Sequence, residues 1–276
     1  MVAIGELLDA LALEPVGEGR FRAANVPAAH GVVFGGQLLG QSLVAARHGH
    51  DLMMPKTIHT VFARAGRPDL PLEISVEPVQ AGRTFASSIV TITQDGRTCT
   101  SSTVLLHAAD DDLIRHADTP PRPSRPQDAV AGGGTGDWEI RVVGGVDLSD
   151  PDAVGPPDLD VWTRFAGAPD DPLLSQALLA YATDGFLIGT AMRPHEGVGQ
   201  AQAHRTLSTG VISHTLTFHE PAPASDWLLL AHHSAYAGRG RAYGRADVFT
   251  EDGLLVASFV QDSMIRPMPE RAGGQL

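Results

Sequence analysis

Two polar side chains interrupt segments that are otherwise apolar. Asp184 falls in Tyr181-Ala182-Thr183-Asp184-Gly185-Phe186-Leu187-Ile188, and Gln261 closes the run Ala257-Ser258-Phe259-Val260-Gln261. A carboxylate taken out of water is costly without partners, and desolvation raises its pKa towards the range of a useful general base. An amide on a strand can hold a water molecule and donate to a carbonyl oxygen. Such a pair has the chemistry to activate water, provided donors are aimed at the oxyanion that develops. Gly35-Gly36-Gln37 opens a helical segment. Glycines there let a ligand approach exposed N–H groups, where the helix dipole favours negative charge. His59, in an extended segment, is a further candidate to reach a pocket.

Other chemistries find no support in the residue pattern. The chain has 12 histidines, but His214, His219, His232 and His233 form no His-Glu-x-x-His pattern, and there is one cysteine. No metal site is therefore expected. Cys99 lies in the alternating run Thr98-Cys99-Thr100-Ser101 and reads as a half-buried strand residue. A single cysteine excludes an intrachain disulfide and suits a reducing cytoplasm. No Gly-x-Ser-x-Gly elbow is present, which argues against a Ser-His-Asp hydrolase. Gly238-Arg239-Gly240-Arg241 reads as a loop able to touch phosphates and is unlike a P-loop. The formal charge of −12, from 20 Lys+Arg against 32 Asp+Glu, gives no basic face for a nucleic acid. It would repel an anionic ligand at long range, so any phosphate site must rest on local Arg and backbone N–H groups. The opening Met1-Val2-Ala3-Ile4-Gly5-Glu6 does not read as a signal peptide. Apolar runs such as 173–180 fall short of the roughly 20 residues that span a bilayer. No membrane span and no cofactor are expected.

The elements that must position these residues occur twice. His214 follows His59 by 155 residues, Gly238 follows Gly82 by 156, and Asp252 follows Asp95 by 157. Three landmarks in one order at a nearly constant spacing mark an internal duplication. Each copy begins with a helix, expected over 36–47 and 172–189. Leu38, Leu39, Ser42, Leu43 and Ala46 share one helical face, and Asp171-Pro172 is a start signal. Alternating strands follow, with Asp-Gly hairpin turns at Gln94-Asp95-Gly96-Arg97 and Glu251-Asp252-Gly253. Between the copies, Asp110-Asp111-Asp112, Pro120-Pro121-Arg122-Pro123 and Gly132-Gly133-Gly134 read as a linker. An extra strand is expected over 138–143. The organisation is an N-terminal unit (1–109), a linker (110–160) and a C-terminal unit (161–276). The fold class is α+β: an apolar helix wrapped by an antiparallel sheet, twice, the copies paired at their edges so that neither edge is left open.

Several segments together resemble the acyl-CoA thioesterase II family. They are Val33-Phe34-Gly35-Gly36-Gln37-Leu38-Leu39-Gly40-Gln41, Ile58-His59-Thr60-Val61-Phe62-Ala63-Arg64, Pro169-Asp170-Asp171-Pro172, Ala177 through Asp184, and Val256-Ala257-Ser258-Phe259-Val260-Gln261. The likeness spans residues 5–267. It implies a double hotdog fold, further assembly into a homo-oligomer, and hydrolysis of an acyl-CoA thioester by an activated water. It implies that Asp184 and Gln261 hold that water together with a strand hydroxyl, for which the aligned residue is Val211. Valine cannot hydrogen-bond. Strand periodicity offers Ser213 in its place, with Thr209 a weaker choice. Gly36, Gln37, His59 and Val211 are the substrate-binding candidates.

The favoured expectation is a cytoplasmic thioesterase that cleaves fatty acyl-CoA, its tail in an apolar tunnel between helix and sheet. An acyl-CoA-binding or weakly active relative, degenerate at Val211, is the alternative. A hotdog enoyl-CoA hydratase ranks below both, because no His lies close behind Asp184 before His195.

Overall fold

The structure, a computed structural model, describes residues 3–27, 31–121, 125–134 and 136–268. Arg122 and Pro123 of the expected linker lie outside the described residues. Thirteen strands form one sheet: β1 (Glu14–Gly17), β2 (Arg20–Ala23), β3 (Met54–Phe62), β4 (Leu72–Ala81), β5 (Phe85–Gln94), β6 (Arg97–His107), β7 (Val130–Ala131), β8 (Trp138–Val142), β9 (Asp158–Phe165), β10 (Leu207–Phe218), β11 (Leu228–Gly238), β12 (Arg241–Thr250) and β13 (Leu255–Pro267). Their order is β1-β2-β4-β5-β6-β3-β10-β13-β12-β11-β9-β8-β7. Read outwards from the centre, β3-β6-β5-β4-β2 mirrors β10-β13-β12-β11-β9, so the duplicated sequence becomes a pseudo-two-fold sheet. The segment between the copies contributes β7 and β8, the latter on the expected extra strand.

At the seam, β3 and β10 pair antiparallel, with His214 opposite Thr60, Thr215 opposite His59 and Leu216 opposite Ile58. Each copy thus caps the other's exposed edge. The inner face carries Ile58 and Thr60 from β3 and His214 and Leu216 from β10, all buried. His59 instead lies on the outer face, where its Nδ1 meets Thr215 Oγ1 at 2.8 Å. The two histidines that mark the repeat in sequence therefore face opposite ways.

The helices pack on the inner face. In α2 (Gly35–Arg47) the expected stripe of Leu38, Leu39, Ser42, Leu43 and Ala46 is buried. Helix α3 (Pro172–Thr183) begins as expected, with Asp171 accepting from Leu174 N at 2.8 Å. It does not run on to Gly189: it ends at Thr183, and a separate turn, α4 (Leu187–Met192), follows. Helix α1 (Ile4–Leu11) packs Leu7 and Leu11 beside α3 in a second apolar cluster. Helices α2 and α3 approach closely because α2 carries glycine at the crossing. A Cβ on Gly36 would lie 2.3 Å from the Tyr181 carbonyl oxygen, and one on Gly40 3.0 Å from that of Ala177.

The hairpin signals fare unevenly. Asp95 (φ 48°) and Gly96 (φ 68°) form the expected two-residue turn. The loop at 251–254 is longer, closed by Gly253 N donating to Thr250 O at 3.0 Å. Arg239 (φ 54°) and Gly240 (φ 74°) form a tight turn between β11 and β12, so that segment is a hairpin. Cys99 is fully buried, and burial pushes its thiol up. No helix among the described residues is long and apolar enough to cross a membrane.

Candidate active site

Asp184 sits at the C-cap of α3, in the break before α4 rather than inside a helix. Its Oδ2 accepts from the Gly36 N–H at the start of α2 (3.1 Å), and its Oδ1 accepts from Gln261 Nε2 (3.1 Å). Desolvation pushes its carboxyl up to about 7, against the opposing pull of the Gly36 N–H. The residue is only partly covered. Close approach is again a matter of glycine: a Cβ on Gly35 would stand 2.6 Å from Asp184 Oδ2.

Gln261 is held from the other side by His214, directly opposite it on β10. Its Nε2 donates to His214 Nδ1 at 2.9 Å and lies 3.5 Å from Thr183 O. A ring nitrogen that accepts must be unprotonated, so the proton of His214 is on Nε2, which donates to Thr183 Oγ1 (3.2 Å). Thr183 Oγ1 in turn donates to Ala180 O at 2.8 Å. Burial pushes His214 down to about 3, so this chain runs through a neutral imidazole. Phe259 stacks on the ring. The outcome is a fixed amide whose Oε1 is buried and has no hydrogen-bond partner among the described residues.

The remaining candidates separate. A bulge between Val211 and Ser213 shifts the register, so Val211 pairs with Ser263 while Ser213 pairs with Asp262. The period-two argument for Ser213 fails at that extra residue. Ser213 faces outwards and its Oγ donates to Asp262 Oδ2 at 3.2 Å. Val211 stays on the inner face with Gln261. Gln37 is buried, but Val26 N donates to its Oε1 (3.0 Å) and its Nε2 donates to Asn25 Oδ1 (2.9 Å). It ties down the chain ahead of α2. The Gly36 N–H is committed to Asp184, and His59 lies on the far face of the sheet. His214 and Thr183 were not singled out for the site by sequence, although a histidine inside the strand run 207–218 was a signal.

A cavity of about 540 Å³ reaches Gly185, the residue after Asp184, but not Asp184 itself, and is lined by Phe34, Trp138, Ile140, Val142, Leu148 and Phe186, among others. It lies between the inter-repeat strands and the α3–α4 break. Trp138, Phe34 and Tyr181 pack as an aromatic cluster against it.

Two helix-against-sheet units fused at their edges, with a desolvated carboxylate in the break between α3 and α4, define a double hotdog protein. Comparisons with known proteins agree. A profile described as the acyl-CoA thioesterase N-terminal domain matches residues 23–107, and one described as the acyl-CoA thioesterase C-terminal domain matches 110–265. Human acyl-coenzyme A thioesterase 8 is 27% identical over 96% of this chain and 90% of its own length. Acyl-CoA thioesterase 2 of Haemophilus influenzae is also 27% identical, over 95% of this chain and 98% of its own. The structure of an acyl-CoA thioesterase II from Mycobacterium marinum matches with a TM-score of 0.81 and 30% identity, covering 97% of this chain and 99% of that one. A hot dog fold protein from Alicyclobacillus acidocaldarius, 20% identical with a TM-score of 0.76, shares the fold. The chain belongs to the acyl-CoA thioesterase family, a family of thioester hydrolases.

Proposed function

We propose that this protein hydrolyses fatty acyl-CoA to free fatty acid and CoA, with Asp184 as the base that activates the water. The observation that carries the reading is a carboxyl pushed up to about 7, held by Gln261 and the Gly36 N–H, one residue from a cavity lined in part by Phe34, Trp138, Ile140 and Phe186. At that value the carboxylate is half formed near neutrality and takes a proton with good driving force. Water loses a proton to Asp184 as its oxygen attacks the thioester carbon. The tetrahedral intermediate then collapses and expels the thiolate of CoA, which recovers the proton from Asp184. Gln261, locked by His214, keeps the carboxylate turned towards the reacting water. The tail lies among Phe34, Trp138, Ile140 and Phe186.

The same reading includes self-association, supported by an uncovered outer sheet face that exposes Val61, Ile89 and Tyr243; sedimentation velocity checks it. A reducing compartment is part of it too, given the unpaired Cys99. The test is release of CoA from a panel of acyl chain lengths, followed with a thiol-reactive dye, for the wild type and Asp184→Asn. The wild type is expected to turn over and the variant to lose at least about a hundredfold in kcat. Equal rates would sink the mechanism. Tight acyl-CoA binding without CoA release would favour the non-catalytic alternative that Val211 suggests.

A further inference from the structure

We infer that Ser263 supplies the hydroxyl that holds the water at Asp184 and Gln261, in the place that Val211 leaves unfilled. The inference rests on the proposed hydrolysis and follows from hydrogen-bond accounting on the inner face. The Gln261 amide has two N–H bonds, and both are spent, on Asp184 Oδ1 at 3.1 Å and His214 Nδ1 at 2.9 Å. It has no donor left for the water. What it offers is Oε1, a buried acceptor with no partner among the described residues. A water that donates one hydrogen to Asp184 and the other to Gln261 Oε1 satisfies that acceptor. It then needs a donor to one of its lone pairs, so that the second lone pair faces the thioester carbon.

Few groups can be that donor. Side chains on β13 alternate, so Ser263 shares the inner face with Gln261 while Asp262 points outwards to Ser213. Gln261 is 1% and Ser263 2% exposed. The Ser263 hydroxyl makes no hydrogen bond to any other described residue. Residues two apart on a strand are separated by roughly 6.6 Å. That backbone spacing is well beyond a direct hydrogen bond and about 1 Å beyond the roughly 5.6 Å that a water bridging two partners at about 2.8 Å each can span, a gap the longer Gln261 side chain has the reach to close. Ser263 is also the residue directly opposite Val211. The hydroxyl absent from β10 is thus present on the adjoining strand, at the same level of the sheet. Thr209, the other buried hydroxyl on this face of β10, pairs with Ile265, two residues further along. That places it roughly 13 Å from Gln261 along the strand, beyond the reach of one water.

The experiment measures kcat and KM for hexanoyl-CoA and dodecanoyl-CoA in the wild type and in Ser263→Ala, Ser263→Thr, Thr209→Val, Asp184→Asn and the double variant Ser263→Ala/Val211→Thr. Ser263→Ala is expected to lower kcat about tenfold or more with KM changed less than about threefold, because the contact serves the water and not the tail. Ser263→Thr keeps most of kcat. Adding Val211→Thr to Ser263→Ala restores a large part of it from the opposite strand, which a merely structural role for Ser263 would not allow. Thr209→Val stays within about twofold of wild type. Wild-type kcat in Ser263→Ala, with Asp184→Asn inactive, overturns this assignment and leaves the proposed hydrolysis standing. An equal loss in Ser263→Ala, Ser263→Thr and the double variant, with lowered melting temperatures, marks a packing role and overturns it as well. A wild type inactive on both substrates overturns the proposed function itself, and this inference with it.

Discussion

Burial and a backbone N–H act in opposite directions on Asp184, and burial wins, leaving the carboxyl at about 7. A base must be deprotonated to act, so kcat/KM should fall about tenfold per pH unit below 7 and level off above it. A profile flat down to pH 5 would remove Asp184 from that role. Gln261→Ala should be nearly as harmful as Asp184→Asn, because it frees both Asp184 Oδ1 and His214 Nδ1 inside the protein. A loss in kcat of about a hundredfold is expected, read by the same CoA-release assay. Asp184 and Gln261 stand out in the sequence because each is a polar residue set in an apolar run and each matches the resembled family's pattern, and the structure brings the two side chains together. Ser213 was misplaced because one bulged residue inverts every face beyond it, and a bulge in β10 leaves no mark in composition. Ser263 was hidden for a related reason: a serine in a strand looks the same whether it faces solvent or the inner face beside Gln261.

Among the elements, the crossing of α2 and α3 sets how near Asp184 comes to Gly36. Gly36 reads in sequence as a place for a ligand to approach, yet its lack of a side chain serves helix packing. A methyl there would meet backbone 2.3 Å away, which no side-chain rotation relieves. Gly36→Ala should therefore cost more than about 3 kcal/mol, at the upper end of overpacking penalties, and move the Gly36 N–H off Asp184. Gly40→Ala, whose methyl would lie 3.0 Å from Ala177 O, should cost about 1–3 kcal/mol. Urea unfolding of both variants ranks them, and the reverse order would contradict the crossing described. The start of α3 was legible from Asp171-Pro172, but its end was not. Asp184-Gly185 is a turn signal, and apolar neighbours on both sides made it look like helix interior.

For the whole molecule, the duplication was legible because matching turns and strands recur at nearly constant spacing, but the faces of its residues were not. His59 and His214 occupy similar places in sequence and opposite sides of one sheet. That asymmetry has a consequence for stability. Burial pushes His214 down to about 3 and His232 down to about 4, while both would titrate near 6.5 in the unfolded chain. Between those values the unfolded state binds more protons, so stability falls as pH falls through this window. Asp184 works the other way, since its folded carboxyl holds a proton up to about 7 and the unfolded one only near 3.8. From pH 7 to 5 the two histidines together should withdraw about 4 kcal/mol and Asp184 should return about 2, leaving a net loss of about 2. Asp184→Asn removes only the returning part. The variant should match or exceed the wild type at pH 7, where the charged carboxylate is a cost, yet lose about 4 kcal/mol on acidification to pH 5. Urea denaturation at the two pH values measures both differences. Equal acid losses in the two proteins would mean that Asp184 titrates as an ordinary exposed carboxylate, and the proposed base would be gone.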